Sequence, residues 1–207
     1  MDRRTAIRNI SVGLGGVAST PVVLSLLAAS TANAATWKAE SFAEELQHVV
    51  TQLVDVIMPS SSTPGALDVN VPQFIDKLYS NIFSATEQQY FRYGAAAFSN
   101  RFKQVFGRAA LAGSRAEFQQ LLDIYFGLSA QEQNSIFEQQ NADLTAVEPE
   151  DKDTYLIYKF LLSVRQSTLF GYFTSEKVGK EVLNYDPVPG LYDGCVPLSD
   201  IGNAWTG

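Results

Sequence analysis

Histidine and cysteine are almost missing from this chain. His48 and Cys195 are the only examples among 207 residues. One of each cannot supply a C-x-x-C-H haem-attachment motif, a His/Cys zinc set or the thiolates of an iron–sulfur cluster. A Ser–His–Asp or Cys–His nucleophilic arrangement would have to recruit His48. That residue lies between Gln47 and Val49 in a helical pattern, far in sequence from Cys195, and reads as a solvent-facing or internally satisfied helical histidine. Charge is also scarce, at 18% of residues, and the formal net charge is −7. An acidic balance argues against nucleic acid and anionic lipid surfaces as partners. There is no internal repeat, no low-complexity tract and no convincing strand pattern.

What is present is apolar. Hydrophobic residues make up 46% of the chain, enough for a real core, and the length suits one domain with appendages. Residues 1–34 read as an export signal. MDRRTAIRN is a positive n-region, Ile10 to Ala29 carries no charge, and Ala32-Asn33-Ala34 is an A-x-A cleavage pattern. Arg3-Arg4 ahead of a glycine-rich, weakly hydrophobic run suggests the twin-arginine route, although Ala6 stands where a large apolar residue would complete the pattern. The alternative is an uncleaved anchor, since the uncharged run is about long enough to span a bilayer. Gly13, Gly15 and Gly16 fall in this signal, with no preceding strand, and make no dinucleotide fingerprint. Loss of Arg3, Arg4, Arg8 and Asp2 would move the formal charge from −7 to −9. Export places the protein in the periplasm, an oxidising compartment, where Cys195 is either a packed thiol or a bridge to another chain.

Residues 35–170 carry helical signals throughout. Ser41 with Glu44, Ser114 with Glu117 and Ser129 with Glu132 have the spacing of capping boxes, and Ser84 or Thr86 can open a further helix running to about Phe106. Apolar residues recur at helical spacing after each start, among them Leu46, Val50, Leu53 and Val54, then Phe74, Ile75 and Leu78, then Phe91, Phe98 and Phe102. Pro72 suits a first helical turn, and Pro149 with Glu150, Asp151 and Asp153 can open the longest helix. The expected fold is therefore all-α: about six helices in a compact, bundle-like body.

The stretch from Arg165 to Leu198 breaks this pattern. Gly171, Gly179, Gly190 and Gly194 offer turn positions, and Pro187, Pro189 and Pro197 remove backbone donors. Residues 171–207 are read as an irregular Gly/Pro/aromatic arm. Its aromatic side chains must be buried on the body or on a partner, and Tyr172, Phe173, Tyr185 and Tyr192 are the candidate anchors, with Cys195 beside them. Asp186, Asp193 and Glu176 also lie here. Paired acids can do general acid–base work, but Asp-Pro and Asp-Gly are ordinary turn pairs.

Two stretches carry a family resemblance. PSSSTPGALDVNVPQFIDKLYSNIF, from Pro59, is similar to the "TPGA…GVPxFID" pattern of the gluconate 2-dehydrogenase subunit 3 family. GYFTSEKVGKEVLNYDPVPGLYDGCVPL, from Gly171, resembles that family's carboxyl-terminal motif almost position for position. The resemblance implies a small, non-catalytic subunit with no cofactor of its own. Its partner would be a large FAD-dependent oxidoreductase of the glucose–methanol–choline type, oxidising sugars or sugar acids, often with a c-type cytochrome bearing haem c as a third subunit. It implies that the small subunit's signal escorts the large one to the periplasm, where the complex can be peripheral to the inner membrane. Two other readings stay open at this point: a stand-alone exported binding module, and a carboxylate-dependent hydrolase.

Overall fold

A computed structural model describes residues 37–142, 144–185, 190, 195 and 197–204. Arg3, Arg4, Ala32, Ala34, Tyr192, Asp186 and Asp193 lie outside them. Among the described residues the chain is helical, with no strand. The elements are α1 (Glu44–Ile57), α2 (Val71–Asn81), α3 (Ala85–Phe106), α4 (Arg115–Phe126), α5 (Ala130–Gln139), α6 (Lys152–Phe173), α7 (Glu176–Glu181) and the single turn α8 (Leu198–Ile201).

Three helix starts follow the local rule. Ser84, Ser114 and Ser129 form capping boxes with Glu87, Glu117 and Glu132. Ser41 does not. The N-cap of α1 is Ala43, with no side-chain cap. The Ser41 N–H points instead at a distant partner: the buried Asp76 carboxylate on α2 accepts from Glu40 N–H at 2.7 Å and from Ser41 and Phe42 N–H at 3.1 Å each. A buried carboxylate must be satisfied by strong donors, and three converging N–H groups outweigh one exposed capping box. Pro72 occupies the first turn of α2 as expected. Pro149 opens a 3₁₀ turn, Pro149–Asp151, that leads into α6.

The body is organised on α3 and α6, each 22 residues long. They run antiparallel: Tyr90 and Glu87 near the start of α3 sit beside Ser163, while Arg101 and Gln104 near its end sit beside Asp153 and Thr154. α1, α2 and α4 complete the bundle around them. A run of rings crosses the interior. Phe42 stacks on Phe91 at 5.7 Å, Phe91 meets Phe160 edge-on at 4.9 Å, Phe160 meets Phe98 at 5.9 Å, and Phe118 joins Phe98 to Phe102 at 6.1 and 4.8 Å. Each such pair adds about 0.5–1.5 kcal/mol beyond its buried area. The aromatic stripe of α3 is thus core, as its spacing predicts.

The helices meet closely at Gly94. A Cβ placed there would lie 2.2 Å from the Leu156 carbonyl oxygen and 2.6 Å from Phe160 Cβ. Only a residue without a side chain permits that approach.

The carboxyl-terminal expectation needs correction. α6 continues through Gly171 to Phe173, and Ser175 then caps α7, accepting from Val178 N–H. Gly171 and Gly179 are helical and buried, and neither makes a turn. Val178 is fully buried and belongs to the core. Residues 171–182 are therefore part of the body, because the apolar positions of this stretch find a surface to cover.

Two outcomes follow. Gly94→Ala is expected to destabilise the fold by about 1–3 kcal/mol, because the obstructing atoms are the Leu156 carbonyl and the Phe160 Cβ, which cannot swing aside; a melting temperature equal to wild type in thermal unfolding would contradict this. The capping boxes also set an acid dependence. The Ser114 N–H first, then Arg108 and the Ser114 hydroxyl, hold the Glu117 carboxyl down to about 2 from 4.5, and serine caps likewise lower Glu87 and Glu132. A depressed carboxyl stabilises the fold fully above its unfolded value and loses that contribution as pH falls through the folded one. The α4 start is therefore expected to weaken between pH 4.5 and 2. A side-chain NMR titration of Glu117 with its midpoint at 4.5 would disprove it.

Candidate partner-docking surface

The two motif stretches begin over a hundred residues apart in sequence and meet at the carboxyl end of α6. The first contributes a tightly bonded loop. Ala66 N–H donates to Met58 O at 2.8 Å, and Val71 N–H donates to Ala66 O at 3.1 Å. Gly65 N–H donates to Asp68 Oδ2 at 2.7 Å. That bond first, then the Ser60 hydroxyl and the nearby Lys177 charge, lower the Asp68 pKa. Asn70, at φ 58°, turns the chain into α2; asparagine is among the few non-glycine residues that adopt this region readily.

The second stretch locks onto this loop. Tyr172 is buried, and its hydroxyl donates to Pro64 O at 2.8 Å, a bond spanning 108 residues. Gly171 faces Phe74 so closely that a Cβ would lie 2.6 Å from the ring. Ser175 Oγ donates to Tyr172 O at 2.7 Å and fixes the turn between α6 and α7. The result is one stiff end of the molecule, built from α2, the loop, α6 and α7.

On that end sit exposed aromatics. Phe170 is 54% exposed and Phe173 46%, three residues apart on α6 and so neighbours on its surface. Phe170 rests on the partly buried Phe74, ring centroids 5.8 Å apart. Phe173 stands edge-on to Tyr172 at 5.1 Å. Tyr185, 55% exposed, follows α7, within electrostatic reach of Lys180. Alongside, Asp68, Ser175, Glu176, Lys177, Lys180 and Glu181 line a shallow groove of mixed charge between the loop and α7.

Of the residues singled out from sequence, Phe173, Tyr185 and Cys195 are exposed. Tyr172 is not, so it cannot be a surface anchor in this arrangement: its hydroxyl and ring serve the junction between the motifs. Phe170 is exposed as well, because Phe74 supports only one face of its ring. Glu176 is exposed and paired with Lys180. His48 is a satisfied histidine: its Nε2 donates to Gly113 O at 3.0 Å, and its ring meets Phe118 edge-on. Among the described residues no group of three or more His, Cys, Asp or Glu side chains could hold a metal ion. None of the described helices is long and apolar enough to cross a membrane.

A family model described as gluconate 2-dehydrogenase subunit 3 matches residues 43–190, which takes in the whole of the first stretch and the second as far as Gly190. No curated protein and no solved structure matches the chain.

This geometry separates two kinds of aromatic. Tyr172→Phe is expected to cost about 1 kcal/mol by leaving Pro64 O without its donor, and Tyr172→Ala about 3–5 kcal/mol. Phe173→Ser, at an exposed position, is expected to stay within about 0.5 kcal/mol of wild type. Chemical denaturation measures all three, and equal losses at Tyr172 and Phe173 would contradict the assignment.

Proposed function

Because the chain belongs to the gluconate 2-dehydrogenase subunit 3 family, we propose that it is the non-catalytic small subunit of a dehydrogenase complex, stably bound to a large FAD-dependent oxidoreductase that acts on a sugar or sugar acid. Family membership makes the protein an accessory subunit of a dehydrogenase complex. The observation that supports a docking role is the stiff end where the two motif stretches meet. Buried contacts there hold Phe170 and Phe173 on a surface that does not have to reorganise, and Tyr185 is exposed just after α7. Aromatics on a rigid base are effective interface anchors, because little side-chain entropy is lost when they are covered.

In this reading the flavin and the substrate specificity reside in the large subunit, and a c-type cytochrome, where one is present, takes the electrons onward. The amino-terminal signal carries the assembled pair to the periplasm, with Arg3 and Arg4 as the export determinant and cleavage after Ala34. Cys195 is exposed, and in this reading it bridges to the large subunit.

Co-expression of the full chain with the tagged flavoprotein tests the proposal. The pair should co-purify, with flavin absorbance and dehydrogenase activity in the complex and neither in the small subunit alone. Phe173→Ser combined with Tyr185→Ser should weaken association by roughly tenfold or more, the scale of losing interface anchors. Sugar-acid oxidation by the isolated chain, or full-yield co-purification of the double variant, would overturn the assignment. Non-reducing electrophoresis of the complex reads the Cys195 bridge as a shifted band that reductant removes.

A further inference from the structure

Charge is segregated along the middle of the chain. From Gln88 to Ala116 it carries Arg92, Arg101, Lys103, Arg108 and Arg115 and no acidic residue, whereas from Glu117 to Asp153 the only cation is Lys152. The fold brings these two runs together at a cleft of about 400 Å³ between α3, α4 and α6. Asn100, Arg101 and Gln104 form its α3 wall, and Asp153 and Thr154 its α6 wall. Between them lie Ile124, 52% exposed, and the buried Tyr125 and Tyr158. This base is firm: the Tyr158 hydroxyl donates to Tyr125 O at 2.9 Å, and the two rings stand edge-on at 5.3 Å. Arg101 and Asp153 are both exposed and face the same space, yet they do not pair. Arg108 is taken by Glu117 and Arg115 by Asp55, while Arg101 donates to Gln104 Oε1 at 3.4 Å. Among the described residues neither Arg101 nor Asp153 belongs to an ion pair.

We propose that this cleft is a self-complementary docking surface whose occupant is a second copy of the chain. Adjacent walls of opposite sign become complementary to themselves under a two-fold rotation, because residue i of one copy meets residue j of the other and j meets i. An axis through the cleft sets the Arg101 wall of each copy on the Asp153 wall of its partner, and the two copies close over Ile124. An apolar centre inside a polar rim is the usual anatomy of an interface. Charge selects the occupant. A uniformly acidic surface is repelled by Asp153 and a uniformly basic one by Arg101, whereas a partner divided as this chain is matches both walls. Exposed charge pairs are screened by salt, so the pairing is salt-sensitive. Asp153 stands in the first turn of α6 and Phe173 at its end, about 30 Å apart along the helix axis. The pairing therefore leaves the aromatic end free. A two-to-two assembly with the large subunit rests on the functional reading above. The pairing itself does not.

Sedimentation velocity on the full chain, at low and high salt, tests the inference. The wild-type chain should dimerise at low salt and dissociate as salt rises. Arg101→Glu places two like-charge contacts in the pair, and so does Asp153→Lys, so each alone should weaken dimerisation by at least about tenfold. Mixed one to one, the two variants should pair with each other, because each supplies the wall that the other has lost. A chain carrying both substitutions should dimerise again. Misfolded variants would not rescue one another in this way, and thermal unfolding of each checks that it is folded. A wild-type chain that stays monomeric at low salt, a dimer unchanged at high salt, or variants that fail to pair on mixing would overturn the surface. Loss of flavoprotein binding by Arg101→Glu, with no dimer of the wild-type chain, would give the cleft to the large subunit and overturn it too. If the wild-type chain shows no affinity for the flavoprotein, the functional assignment fails, while the dimer measurements still decide the cleft.

Discussion

The close approach of α3 and α6 is the constraint on which the other contacts rest. At Gly94 the two backbones come near enough that no side chain fits between them. This brings Phe91 and Phe98, one turn either side of Gly94, onto the same ring of Phe160. From that point the aromatic run extends to Phe42 in one direction and to Phe118 and Phe102 in the other. Were the helices wider apart, Phe160 could not serve both neighbours, and α1 and α4 would lose the surface they cover. Dispersion falls off steeply with separation, so a small widening is felt throughout such a core.

Two polar tethers then attach distant segments to this bundle. Asp76 gathers the backbone ahead of α1 through three N–H groups, and Tyr172 reaches across to Pro64 O. Both are buried groups whose partners come from far along the chain. An unsatisfied carboxylate or hydroxyl in the interior would be costly, so each tether specifies one arrangement and disfavours others. The Tyr172 tether also joins the two stretches that carry the family motifs, and its ring meets Phe173 edge-on at that end of the molecule.

Local signals were legible wherever the deciding partner lay within one helical turn. Ser114 and Ser129 announced their helices because a capping serine and its glutamate are three residues apart, while Ser84 and Thr86 both stood open for the start of α3. Ser41 announced a cap that does not form, because Asp76, thirty-five residues away, claims its amide. Gly171 and Gly179 looked like breakers for the same reason. A glycine that ends a helix and a glycine that lets a ring come close are identical in sequence, and Phe74 decides between them for Gly171. Tyr172 beside Phe173 posed the same difficulty: adjacent aromatics on a helix point about 100° apart, so one turned inward to Pro64 and the other stayed on the surface.

The amino-acid sequence by itself determined the all-α class, the cap positions of two helices, the core role of the α3 aromatics and the family, since all of these rest on short-range periodicity or on contiguous motifs. Only the tertiary structure decided where the body ends, which aromatics remain exposed, and that the two motif stretches form one surface. These depend on contacts between residues far apart in the chain, and such contacts exist only once packing has brought the segments together.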